Sequence, residues 1–98
     1  MDKVMVLNDL DNVATCLTDL NARDMVEVAV SGGRQEITLV DDIQFGHKFA
    51  IKDIASGAEI LKYGEVIGVA SIPISAGQYV HVHNVESVRA RGDKGAQK

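Results

Sequence analysis

The chain has 98 residues, 46% hydrophobic and 24% charged, with a net charge of −4 and a pI near 5.2. That length allows one domain with one modest core and no second catalytic lobe, and the acidic balance exerts no general pull on nucleic acid or an anionic membrane. No apolar run approaches the roughly 20 residues that span a bilayer, the start Met1-Asp2-Lys3-Val4 lacks an apolar signal core, and Cys16 is the only cysteine, so a cytoplasmic protein without disulfides is expected.

In chain order, Lys3 to Leu7 reads as a short strand. Asn8-Asp9-Leu10-Asp11-Asn12 then offers short polar side chains that can cap a helix, and Leu10, Val13, Ala14, Leu17 and Leu20 follow the i, i+3, i+4, i+7 spacing of one helical face. One N-terminal helix ending near Asn21 is therefore predicted. Met25 to Val30 and Gln35 to Val40 alternate as strands do, with Ser31-Gly32-Gly33-Arg34 as the hairpin turn between them. No helix pattern follows Gly32-Gly33, so these glycines form no phosphate cradle. Cys16 is expected to pack in the core rather than to react.

The second half uses one short unit three times: Asp42-Ile43-Gln44-Phe45-Gly46, Asp53-Ile54-Ala55-Ser56-Gly57 and Pro73-Ile74-Ser75-Ala76-Gly77. The copies are too few and too unevenly spaced for a solenoid. They imply one turn geometry used repeatedly, with the glycine in a left-handed conformation and the isoleucine pinned into a common core. Tyr63-Gly64-Glu65 makes a further turn before Val66 to Ala70. Many short strands crowded together predict a compact, mainly β domain over residues 1–88. Beyond it, 89–98 is a polar, largely basic tail without periodicity, expected to be mobile, whose Arg89 and Arg91 could meet an acidic surface or a carboxylate. Its Arg-Gly-Asp tripeptide is discounted as an adhesion motif.

All three histidines fall in two polar patches, Gly46-His47-Lys48 and His81-Val82-His83-Asn84. Imidazole is the side chain most readily tuned for proton transfer or metal ligation near neutral pH. On a strand, His81 and His83 would stand side by side with Val82 inward, a geometry that could chelate a metal if Asn84, Glu86, His47 or a distant carboxylate completed the set. The alternatives are a surface turn at His47 and two partly exposed histidines on a polar strand face. No nucleophile elbow, paired catalytic carboxylates or cysteine–zinc cluster is present.

Asp11-Asn12-Val13-Ala14, then Gly46-His47-Lys48-Phe49-Ala50 with Asp53-Ile54, then Lys62-Tyr63-Gly64-Glu65-Val66-Ile67-Gly68, and then His81-Val82-His83-Asn84 occur in order. Together, across about residues 3 to 91, they resemble the SAF domain of the altronate and galactarate dehydratases. The His-x-His-Asn ending is more similar to the altronate enzymes. The resemblance implies a β-clip fold, in a domain that in this family also occurs as a small subunit beside a large catalytic one, and this chain resembles the separate small subunit. It implies a lyase that is inactive alone and eliminates water from a sugar acid by removing the proton beside the carboxylate. His47 and Lys48 are then the candidate catalytic residues, as acid/base and carboxylate-binding cation, while His81, His83 and Asn84 are the candidate substrate-binding residues. The family's use of iron implies Fe2+ held mainly by the large subunit. Alternatives are the small subunit of a sulfolactate sulfo-lyase, where sulfite leaves, a non-catalytic sugar-acid or protein binding module, or a small metalloprotein built on His81 and His83. Open strand edges also make a homo-oligomer plausible.

Overall fold

The structure is a computed structural model that describes residues 3–6, 8–30 and 33–88. Among these the named elements are all strands: β1 (Val4–Met5), β2 (Val13–Cys16), β3 (Met25–Val30), β4 (Gly33–Thr38), β5 (Lys48–Ala50), β6 (Glu59–Lys62), β7 (Glu65–Ala70), β8 (Tyr79–Val80) and β9 (Val85–Glu86). They form three antiparallel sheets, ordered β1-β2-β5-β8, β3-β4 and β6-β7-β9. The mainly β architecture is the expected one. Ser31, Gly32 and the tail expected at 89–98 lie outside the described residues. No helix among the described residues is long and apolar enough to cross a membrane.

The predicted N-terminal helix does not form. Val13 to Cys16 is instead the strand β2, paired on one side with β1 and on the other with β5. All four of its residues are buried, whereas Leu10 and Leu17, which the helical reading placed on the apolar face, are 66% and 40% exposed. The physical reason is that β2 is covered on both faces. Val13 packs into a cluster with Ala50, Ile54, Ile60, Ala70, Ile74 and Val80, while Ala14 and Cys16 enter a second cluster around Leu39, Ile43, Phe49 and Ile51. A strand buried on both sides shows no polar alternation, so its short apolar run can pass for a helical stripe.

The polar residues read as a helix cap do cap backbone, but of a distant hairpin. Asp11 accepts hydrogen bonds from Tyr63 N and Gly64 N at 2.9 and 2.8 Å, stabilising the two-residue turn between β6 and β7. Asn12 donates from Nδ2 to Glu59 O and accepts at Oδ1 from Leu61 N, both at 2.8 Å, so its amide substitutes for a missing strand neighbour beside β6. Both side chains are buried. Each polar atom must then be paired, because an unpaired one would cost about 1–3 kcal/mol. No buried side-chain nitrogen or oxygen among the described residues lacks a partner.

The repeated unit is a structural fact with a fourth copy. Gly46, Gly57 and Gly77 take φ of 83°, 85° and 91°, and Ile43, Ile54 and Ile74 are almost wholly buried. Gly77 also permits close approach, since a Cβ there would collide with the carbonyl oxygen of Thr38. The fourth copy is Asp19-Leu20-Asn21-Ala22-Arg23, in which Arg23 adopts φ 77° without being glycine. The copies pair off through two antiparallel bridges, Leu20 with Ile43 and Ile54 with Ile74. In the first pair the caps are reciprocal: Asp19 Oδ1 accepts from Phe45 N at 2.8 Å and Asp42 Oδ1 accepts from Ala22 N at 2.7 Å. In the second, Asp53 Oδ1 accepts from Ala76 N at 3.0 Å, and Pro73, at the matching position, has no acceptor to return.

Candidate functional site

Strand register brings the two histidine patches together. β5 and β8 pair antiparallel with Lys48 opposite Val80 and Phe49 opposite Tyr79. Continuing that register by one residue sets His47 against His81, and their ring centroids lie 5.5 Å apart. His47 is fixed at its backbone as well. Its N–H closes the turn onto Gln44 O at 2.9 Å and its carbonyl accepts from Cys16 N at 2.8 Å.

The second patch is a turn, not a strand. Val82 points outward, 79% exposed, contrary to the inward orientation expected of a strand residue between His81 and His83. Asn84 makes the turn: its Oδ1 accepts from His81 N at 3.0 Å, its Nδ2 donates to Tyr79 O at 2.8 Å, and its side chain is buried. The reversal swings His83 back over Tyr79. The phenol ring thereby stacks on His81 at 5.4 Å and 17° between planes, and lies 5.5 Å from His83 and 5.6 Å from His47.

Tyr79 is therefore the hub of the site, and sequence reasoning missed it. Its hydroxyl is 2.6 Å from His47 Nδ1. Its backbone is clamped on both sides, by Asp41 Oδ2 accepting from its N–H at 2.9 Å and by Asn84 donating to its carbonyl. The available signal was the alternation Tyr79-Val80-His81, which puts both rings on one face of a strand.

Lys48 and His81 line a groove of about 330 Å³ whose apolar walls are Ile67, Val82 and Val85. The volume is at the small end for ligand pockets. Partial burial pulls the Lys48 ammonium below the usual lysine range, and the nearby positive charge of Lys62 pulls it further. Lys62 itself lies 5.0 Å from the centre of the Tyr63 ring, a cation–π contact. Lys48 beside the His81 imidazole, with the charge of Lys62 near Lys48, forms a setting for an anion. Another hollow, about 290 Å³ between Val4, Val28 and Leu17, is rimmed by the exposed Arg34–Glu27 ion pair and contains no histidine.

Among the described residues no group of three histidine, cysteine or carboxylate side chains gathers to hold a metal. His81 and His83 each pack on Tyr79 instead of converging as a chelate. Burial pushes the Cys16 thiol up to about 11, with Asp19 adding to the shift, which keeps it inert near neutral pH.

Comparison with known proteins agrees with the motifs. A family model described as the altronate/galactarate dehydratase SAF domain matches residues 2–88. Altronate dehydratase of Escherichia coli (strain K12) is 47% identical over 81 residues, 83% of this chain and 16% of that enzyme. Altronate dehydratase of Bacillus subtilis (strain 168) is 36% identical over 88 residues, 89% of this chain and 17% of that enzyme. The (2R)-sulfolactate sulfo-lyase subunit alpha of Chromohalobacter salexigens is 45% identical over 49 residues, 50% of this chain and 52% of the subunit. The chain thus spans about a sixth of the two dehydratases it matches.

Proposed function

The chain belongs to the SAF-domain family of the altronate and galactarate dehydratases, and from that premise we propose that it forms one wall of the active site of an altronate dehydratase-type lyase in the cytoplasm, the rest being supplied by a large catalytic partner. The observation that carries this reading is the convergence of His47 and His81 beside the Lys48 groove. His81 belongs to both features, packing with His47 and Tyr79 and lining the groove beside Lys48.

In the proposed reaction the sugar acid loses the proton beside its carboxylate and then water from the next carbon. Lys48, supported by Lys62, holds the carboxylate and stabilises the negative charge that develops next to it. His47 acts as acid/base at a substrate oxygen. His81 and His83 contact substrate hydroxyls from the Tyr79 platform. Asn84, whose amide is occupied by the turn, supports the site by holding His81 and Tyr79 in place. The ferrous iron expected with this family belongs, in this reading, to the large partner, and the roles above do not depend on it.

A sulfo-lyase reading has two observations in its favour, the 45% and 38% identities to two proteins named (2R)-sulfolactate sulfo-lyase subunit alpha. The more extensive match to the altronate enzymes favours water as the leaving group. Reconstitution with the co-purified large partner, assayed on altronate, galactarate and sulfolactate, tests both. Elimination should need both polypeptides and fall about 100-fold in His47→Ala, the low end for loss of a general acid or base. Full activity in both His47→Ala and the paired His81→Ala, His83→Ala variant would sink the active-site role.

A further inference from the structure

We propose that Tyr79 is a positioning residue that holds neutral His47 in the tautomer protonated at Nε2, so that His47 meets the substrate as a hydrogen-bond donor. The inference rests on the reading of His47 as a site residue and specifies which face of its chemistry is presented. It starts from the 2.6 Å contact between the Tyr79 hydroxyl and His47 Nδ1. In a phenol–imidazole pair of neutral groups the phenol is the stronger donor and the bare ring nitrogen the stronger acceptor. The proton of the bond therefore sits on the Tyr79 oxygen, Nδ1 offers its lone pair, and the ring proton is left on Nε2.

The surroundings make that arrangement rigid. The Tyr79 backbone is tied to Asp41 and Asn84, and its ring is held by His81 and His83, so the hydroxyl cannot swing away from His47 without unstacking. His47 is tied at both its N–H and its carbonyl. The consequence for chemistry is specific. A neutral imidazole with its proton on Nε2 cannot accept a proton there; it meets the substrate oxygen as the acid half of the acid/base role, donating its hydrogen bond to the negative charge that builds there. Abstraction of the carbon-bound proton is then left to a group on the partner.

Ring-15N histidine labelling of the full chain, read by long-range proton–nitrogen correlation near pH ~8.5 where imidazole is neutral, tests this directly. His47 is assigned by its disappearance in His47→Gln. The expected result is a protonated Nε2 and a bare Nδ1 in the wild type, with both nitrogen shifts moving toward the tautomer average in Tyr79→Phe, which keeps the stacked ring and loses only the hydroxyl. In the reconstituted enzyme Tyr79→Phe should lower kcat about threefold to tenfold, the value of one hydrogen bond, with KM little changed. A wild-type His47 protonated at Nδ1 overturns the proposal without need of any variant, and so does an Nε2 tautomer that Tyr79→Phe leaves unmoved. If His47→Ala keeps full activity, the catalytic reading falls on its own, whatever the spectra show for Tyr79.

Discussion

In the paired turns, the carboxylates of Asp19, Asp42 and Asp53 each accept a backbone N–H, and the isoleucines beside Asp42 and Asp53 are driven into the core. On the face built around Tyr79, Asp41 and Asn84 cap backbone in the same way, yet the imidazoles of His81 and His83 make no hydrogen bond among the described residues and only ring contacts, His81 stacked on Tyr79 and His83 tilted against it. The same short polar residues serve both regions. The difference is that the turn region uses its polar side chains for folding, whereas the Tyr79 face keeps functional groups that the fold does not consume. Stability and chemistry should therefore respond to different substitutions.

The largest effect that follows is on the turn side. Ile43→Ala removes a wholly buried side chain from the cluster around Phe49 and should cost about 2–5 kcal/mol in urea unfolding. The paired His81→Ala, His83→Ala variant should stay within about 1–2 kcal/mol of wild type, since it loses only ring stacking. Equal losses in the two would break the division. Next in size is an alkaline transition in the same core. Cys16 holds its proton more tightly when folded, its pKa rising from 9.0 to about 11 through burial and then Asp19. Its contribution is present in full below about pH 9 and is lost as pH rises through about 11, amounting to about 2–3 kcal/mol. Urea midpoints across that window should fall in wild type and lose that fall in Cys16→Ala.

Smaller still are the caps. Asp42→Ala and Asp19→Ala should each cost about 1 kcal/mol, with a coupling of about 0.5 kcal/mol in the double variant, because each carboxylate caps the other's turn. Asp53→Ala should cost about as much but add simply to Asp42→Ala, since the bridges are separate. Additive losses for Asp19 and Asp42 would show that the two turns of that pair are energetically independent.

Turns were the most legible part of the sequence, and β2 was the least. The glycine of each repeated unit signalled a left-handed residue and the isoleucine a buried pin, and each is so, but the expected common core is two clusters, with Ile43 in one and Ile54 and Ile74 in the other. The copy at Asp19 escaped because Arg23 adopts the positive φ that the pattern assigns to glycine; the Asp-Leu pair matching Asp42-Ile43 was the remaining sign of it. The helix was misread because periodicity registers burial on one face and β2 is buried on two. At the site, residue types pointed to His47, Lys48 and the His81–Asn84 patch, but their meeting depends on the β5–β8 register, a pairing between segments about thirty residues apart that local pattern does not encode. Tyr79 took its place as hub only through that pairing.

The smallest expected effect has the opposite sign to the rest and sharpens the comparison most. Lys48 is held below the usual lysine range, first by burial and then by Lys62, so it binds its proton less tightly folded than unfolded. Its charge opposes folding below its folded pKa, and that opposition fades as pH rises through that value toward 10.5. Lys48→Met should thus raise the urea midpoint at neutral pH, by less than about 1 kcal/mol because much of the side chain is screened by water. The same variant should weaken substrate binding in the reconstituted enzyme, read as a raised KM. A gain in stability with a loss of binding is what a residue retained for chemistry gives. If Lys48→Met lowers stability instead, Lys48 belongs with the folding scaffold, and the boundary between the two regions runs through β5 rather than beside it.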